Sequence, residues 1–288
     1  MPENPVIAVI GGSGLYNFPA LRNVKMLDLD TPFGKPSAPI ALGELSGRPV
    51  AFLARHGIGH HISPTEVNYR ANIYALKSIG AHRIVSVSAC GSLREDYAPG
   101  HIVIPDQIFD FTRSRQRSFF GEGIVSHIGV ADPFCPNLSM QVLNAVIAAN
   151  GTVHKGGTFI TIEGPRFSTR AESNIFRQWD ISIIGMTACP EAFLAREAEM
   201  CYAAMAHVTD YDVWHINEQP VSVEMVVRTL MRNTELAQNA IQILVETLDD
   251  TIQCDCEHAL ENAIITQRDR IPPETIQKLD LLVNKYLK

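Results

Sequence analysis

Seven short apolar runs rich in valine and isoleucine recur along this 288-residue chain: Ile7 to Ile10, Val50 to Leu53, Ile84 to Val87, Ile102 to Ile104, Thr158 to Ile162, Ile181 to Ile184 and Tyr202 to Val208. Runs this short, with no polar alternation, predict strands buried on both faces, and such strands need helices packed above and below their sheet. Helix-like patterns lie between several of them, at Pro64 to Ile79, Ser139 to Ala149, Arg170 to Trp179 and Glu191 to Met200. The predicted class is therefore α/β. Pro64 can open the first helix and Gly80 can close it. From Val223 to Leu248, the residues Val223, Val226, Val227, Leu230, Ala237, Ile241, Leu244 and Val245 fall on one face of a long amphipathic helix, predicted to pack back on the sheet. No repeat or low-complexity linker marks a boundary, so one domain is expected.

Charge narrows the choice of partner. The net charge is −7, and the densest cationic stretch, Arg113-Ser114-Arg115-Gln116-Arg117, reads as a solvated loop, so a nucleic acid finds no evident docking surface. Pro2-Glu3-Asn4-Pro5 leads into Val6 to Ile10 with no basic n-region and too few apolar residues to span a membrane, which points to a cytoplasmic protein. Cys90, Cys135, Cys189 and Cys201 are dispersed among apolar or small neighbours and read as reduced, packed thiols. Cys254-Asp255-Cys256 stands apart, either as a strained short-loop disulfide or as two exposed thiols. After it, Pro272-Pro273-Glu274 starts a helix whose Ile276, Leu279, Leu281, Leu282 and Tyr286 form an apolar face for docking on the core or on a neighbouring subunit.

Chemistry concentrates where the apolar runs end. Gly11-Gly12-Ser13-Gly14-Leu15 follows the first, a turn whose bare backbone N–H groups and Ser13 hydroxyl suit an anion, although it is neither a Walker A loop nor the dinucleotide fingerprint. Arg55-His56-Gly57 follows the second and sets out a guanidinium fork suited to a pair of phosphate oxygens. His56, His60 and His61 are close in sequence, but no carboxylate-rich partner set accompanies them and a metal site is not expected there. Ser88-Ala89-Cys90-Gly91-Ser92 and Gly185-Met186-Thr187 end two further runs in small or hydroxyl residues, and convergence of the four strand ends on one oxyanion is the reading they favour. In Glu163-Gly164-Pro165-Arg166-Phe167-Ser168-Thr169-Arg170, Phe167 can stack on an aromatic ligand and Ser168 can hydrogen-bond one, while Ser168 or Thr169 with Glu172 can instead cap a helix. The last buried run leaves through Thr209-Asp210-Tyr211-Asp212, two carboxylates that serve either as a ligand edge or as turn formers.

Taken in order, Gly-Gly-Ser-Gly-Leu at 11 to 15, Thr-Pro-Phe-Gly-Lys-Pro at 31 to 36, Arg-His-Gly at 55 to 57, Ser-Ala-Cys-Gly-Ser-Leu-Arg-Glu at 88 to 95, Glu-Gly-Pro-Arg-Phe-Ser at 163 to 168 and Thr-Asp-Tyr-Asp-Val-Trp at 209 to 214 resemble the S-methyl-5′-thioadenosine phosphorylases, a branch of the trimeric purine nucleoside phosphorylases. The likeness runs from about Val6 to Leu230. It implies a mixed central sheet flanked by helices in a single domain over residues 1–248, followed by an extension over 249–288. It also implies attack of inorganic phosphate on C1′ of methylthioadenosine, releasing adenine and methylthioribose 1-phosphate, with neither cofactor nor metal. By the same resemblance, phosphate is held by Ser13, Arg55, His56, Ser88, Ala89 and Thr187. Met186 packs on the ribose, and Asp210 and Asp212 bind the adenine edge, Asp210 as acid toward N7 and as a partner of the 6-amino group. Val223, Val226 and Val227 line the 5′ pocket, and His127 reaches a neighbouring subunit's site in a trimer or a dimer of trimers. A proton-donating Asp210 needs a raised pKa, expected from burial near Trp214 and from Asp212. Methylthioinosine, ordinary purine nucleosides and a non-catalytic purine-binding role are the alternatives.

Overall fold

The structure, a computed structural model, describes residues 7–12, 18–215, 221–252 and 254–287. All seven apolar runs are strands, and four segments without such a run add to them. In chain order the strands are β1 (Ile7–Gly11), β2 (Arg22–Leu27), β3 (Ile40–Leu45), β4 (Arg48–Ala54), β5 (Arg83–Ser92), β6 (Ile102–Ile104), β7 (Gln107–Phe111), β8 (Val153–Lys155), β9 (Thr158–Ile162), β10 (Ile183–Gly185) and β11 (Cys201–Asp210). Among the described residues they form one mixed sheet in the order β2-β3-β4-β1-β5-β10-β9-β7, with β11 pairing with β5 and β6, and β6 with β8. β1, β4, β5 and β11 run parallel at its centre, so their carboxyl ends open on the same side.

The helices are α1 (Tyr69–Ser78), α2 (Pro136–Ala148), α3 (Arg170–Gln178), α4 (Ala188–Glu197), α5 (Val223–Thr247), α6 (Pro273–Lys278) and α7 (Asp280–Leu287). Strand side chains alternate between two cores, as a period of two requires. Ile7, Val9, Val85, Val87, Ala203 and Met205 face α2 and the second half of α5, while Ala8, Ile10, Ile84, Tyr202 and Ala204 face α1, α4 and α7. Leu279, Leu282 and Val283 of the C-terminal segment lie in that second core, so the segment packs on its own chain.

Several local expectations need correction. α1 starts five residues after Pro64: the Asn68 side chain accepts from Ala71 N–H and caps the helix, while 64–66 form a turn. Gly80 does follow the helix in the left-handed region, at φ 83°. Thr169 and Glu172 form the reciprocal capping box of α3. Val223 and Val227 are not core residues, being 68% and 44% exposed, because only the half of α5 from Ala237 onward reaches the sheet. The one helix expected near the C-terminus is two, broken at Leu279. Arg115 is no solvated residue, being 6% exposed, although Arg113 and Arg117 on either side are exposed. No helix among the described residues is long and apolar enough to cross a membrane.

Candidate active site

A cavity of about 580 Å³ opens at the carboxyl ends of the parallel strands. Arg55, His56, Ser88, Ala89 and Thr187 line it, as do Phe167, Ser168, Met186, Asp210, Asp212, Val223, Val226 and Val227. The positions expected from the strand ends therefore do converge. Ser13 lies outside the described residues, although Gly12 beside it lines the cavity. His127 is exposed and does not line this chain's own cavity.

Arg55 is fixed from below. Its Nε and Nη2 donate to the two carboxylate oxygens of Glu191 at 2.7 and 2.9 Å, Nη2 also reaches Ser86 Oγ at 2.6 Å, and Nη1 donates to the Val87 carbonyl at 3.2 Å. Both partners of this ion pair are fully buried. Burial opposes the Arg55 charge, but Glu191 more than compensates and keeps it protonated. The guanidinium fork thus grips a carboxylate of its own chain, which leaves one Nη1 N–H for the cavity and corrects the expectation of a fork on phosphate. His56 beside it is neutral, its pKa lowered to about 4 by burial and then by Arg55. Its Nδ1 lies 2.9 Å from the Ile62 carbonyl, which can only accept, so Nδ1 carries the proton and Nε2 is an acceptor. Thr187 precedes α4 with no capping bond from its side chain, and the backbone is kinked at Cys189 (φ −103°, ψ 136°), so Thr187 brings its hydroxyl to the cavity wall and not a regular helix N-terminus. Ser88 to Ser92 do not leave the sheet as a loop: β5 continues through them, paired with β11 as far as Gly91.

At the end of β11, Asp210 is 4% exposed. Its Oδ2 accepts from Thr209 Oγ at 2.7 Å and its Oδ1 from Asp212 N–H at 2.8 Å. Burial is the main reason its pKa rises to about 6, the two hydrogen bonds oppose the rise, and Asp212 adds a smaller push upward. Trp214 lies off the cavity lining, its Nε1 donating to the Ser92 carbonyl and its ring lying beneath Arg177. Gly91 is required here, since a Cβ at that position would stand 2.9 Å from Asp210 Oδ1. Asp212, at φ 51°, is also buried; burial raises its pKa, and the Ser173 and Ser168 hydroxyls beside its carboxylate oppose the rise.

Sequence reasoning missed three residues. Glu191 was taken as part of a helix pattern, and only its position under Arg55 reveals its role. Arg115 donates to the carbonyls of Met186, Cys189 and Glu163 at 2.6, 2.6 and 2.8 Å, tying the 163–168 and 185–189 segments together behind the cavity. His207 faces the cavity from mid-strand, fully buried, with both ring nitrogens unbonded and a pKa lowered to about 4 by burial. Neither Glu191 nor Arg115 carried a local signal beyond an unusual charge within or beside an apolar segment.

Comparison with known proteins now has a geometry to explain. The model of the phosphorylase superfamily matches residues 6–247. S-methyl-5′-thioadenosine phosphorylases from Geobacter sulfurreducens and Chloroflexus aurantiacus are each 51% identical to the chain, covering 98% and 99% of it and 99% of their own length. The chain belongs to the S-methyl-5′-thioadenosine phosphorylase family. Among solved structures, a methylthioadenosine phosphorylase from an antarctic soil metagenomic library superposes with a TM-score of 0.93 at 48% identity, covering 97% of this chain and 99% of that one. The Schistosoma mansoni methylthioadenosine phosphorylase in complex with adenine gives 0.82 at 33% identity over 97% and 98%. These matches extend beyond Leu248, so the family likeness includes the C-terminal segment.

Proposed function

We propose that this chain catalyses phosphorolysis of S-methyl-5′-thioadenosine to adenine and 5-methylthioribose 1-phosphate, as its relatives' names describe for them. The observation that carries this reading is one cavity with two unlike walls: the Ser88 and Thr187 hydroxyls and an Arg55 N–H on one, and the buried Asp210 carboxyl, with a pKa near 6, on the other. A phosphate oxygen bonds to C1′ as the C1′–N9 bond breaks, the bonding pair passes to the purine, and the leaving base gains a proton at N7. Ser13, Arg55, His56, Ser88, the Ala89 backbone and Thr187 hold phosphate. Neutral His56 accepts through Nε2 from the phosphate hydroxyl. Protonated Asp210 supplies the proton, a step worth about 10²–10⁴-fold. Asp210 and Asp212 line the purine edge, with Asp210 reaching both N7 and the 6-amino group. Phe167 and Met186 flank base and sugar, Ser168 hydrogen-bonds the substrate, and Val223, Val226 and Val227 receive the 5′-methylthio group at the cavity mouth. No cofactor or metal takes part in this reaction.

Two further elements belong to the reading. His127 completes the site of a neighbouring copy in a trimer or a dimer of trimers, supported by its exposure away from its own cavity. A cytoplasmic setting is supported by six unpaired cysteines. The test is base release from methylthioadenosine, methylthioinosine and adenosine. Adenine from methylthioadenosine is expected to be fastest; faster hypoxanthine release overturns the roles of Asp210 and Asp212, and faster adenosine cleavage overturns the role of the valines.

A further inference from the structure

Four of the six cysteines, distant in sequence, meet at one point. Cys135, Cys201, Cys254 and Cys256 place their sulfurs within 4.8 Å of one another, and three of the four residues are buried. Each is delivered by a separate structural event. Cys135 is the N-cap of α2, and its backbone N–H bonds the Tyr202 carbonyl at 2.8 Å, which fixes it beside the start of β11. Cys201 is the first residue of β11, and its own N–H bonds His82. Cys254 precedes a single 3₁₀ turn over Asp255–His258 that carries Cys256 inward. The Cys201 and Cys254 sulfurs are 3.0 Å apart.

We propose that these four thiolates bind one structural zinc ion. A tetrahedral ion with Zn–S bonds of about 2.3 Å separates its sulfurs by about 3.8 Å, so four sulfurs already gathered within 4.8 Å need only small rotamer changes to close on it. An all-sulfur tetrahedral donor set selects zinc over the oxygen-seeking cations. The surroundings complete the site. Cys135 stands at the N-terminus of α2, where unpaired backbone N–H groups favour a thiolate, and Arg196 and Lys77 lie close enough to Cys256 and Cys201 to offset the negative charge of four thiolates around a divalent ion. The sequence read Cys135 and Cys201 as dispersed packed thiols and Cys254-x-Cys256 as a short disulfide or an exposed pair; Cys256 is in fact 2% exposed and the four form one group.

The ion is remote from the reaction. Cys201 begins β11 and Asp210 ends it, about 30 Å away at the rise of an extended strand. Its work is to clamp the C-terminal segment to the start of β11, where Glu199 already accepts from Leu260 N–H and Lys285.

The test uses protein purified without a metal-affinity tag from zinc-supplemented cells. Metal content is measured by mass spectrometry, and thiols are counted in denaturant with chelator but no reductant. One zinc per chain and six titratable thiols are expected. Metal-free protein overturns the proposal, whether it shows six free thiols or only two with four more released by reductant, the signature of two disulfides; iron in place of zinc overturns the choice of ion. Cys254→Ser is expected to retain less than about a tenth of the zinc and to unfold roughly ten degrees lower, with base release at low temperature unchanged. As a check independent of folding variants, wild-type protein stripped with chelator under reductant is refilled with Co²⁺. Strong sulfur-to-cobalt charge-transfer and tetrahedral d–d bands are expected, and weak absorption of solvated cobalt contradicts the site.

Discussion

The two ends of β11 show opposite solutions to placing polar groups in a buried sheet. Toward its carboxyl end, Asp210 and Asp212 are buried with raised pKa values, and neither ring nitrogen of His207 has a hydrogen-bond partner. At its amino end, four sulfurs crowd together and share one another's company, with backbone and cationic support around them. The first end keeps unmet hydrogen bonds on a cavity wall, where a ligand can meet them. The second satisfies its groups within the chain, in keeping with a fixed structural role. A buried polar group without a partner costs about 1–3 kcal/mol, which a fold keeps only where binding or turnover recovers it.

The largest effect that can break this contrast is at Asp210. Asp210→Asn removes the acid while keeping shape, and a loss of about 10²–10⁴ in kcat is expected on methylthioadenosine, with a smaller loss on methylthioinosine. Equal losses on both would separate Asp210 from base recognition. Next comes the support beneath the phosphate side. Glu191→Gln leaves Arg55 charged and buried without its partner, for which a loss of about 3–5 kcal/mol is expected in denaturant titration. An unchanged midpoint would mean that Arg55 is held by its carbonyl and serine contacts alone.

The pH dependence of stability sharpens the comparison further. Asp210 has a folded pKa near 6, above its unfolded value of about 3.9, so its favourable contribution is full below about pH 4 and is lost as pH rises through about 6. Wild type should therefore lose on the order of 3 kcal/mol relative to Asp210→Asn between those limits, read from paired denaturation curves across that range. Parallel curves would show that the carboxyl is not desolvated. The smallest effect is at the cavity mouth. Val226→Thr should move selectivity between methylthioadenosine and adenosine by about tenfold toward the 5′-hydroxyl, through the ratio of kcat/KM values. An unchanged ratio would place the methylthio group elsewhere.

How much was legible beforehand differed by region for physical reasons. The central strands were readable because burial on both faces favours runs dominated by Val, Ile, Leu and Ala, and the amphipathic α5 was readable from its spacing. β2 was not, because Arg22–Leu27 is an edge strand exposed along nearly its whole length and its sequence carries no burial signal. α1 was entered five residues early because Pro64 is as compatible with a turn as with a first helical residue, and the deciding Asn68 cap is a tertiary outcome as much as a local one. Within the site, the strand-end residues were legible because small, hydroxyl and acidic groups interrupt apolar runs. Arg115 resembles its exposed neighbours Arg113 and Arg117, which make the stretch look solvated, and nothing local shows that its side chain turns inward to four carbonyls. The cysteine group could not be read at all, since only the fold brings positions 135, 201, 254 and 256 together.

The most direct test of the catalytic account is product analysis of methylthioadenosine turnover as phosphate is varied, with ³¹P detection. The account predicts one sugar 1-phosphate formed for each adenine released and no adenine without phosphate. Adenine release that persists without phosphate, with free sugar as the other product, would contradict it.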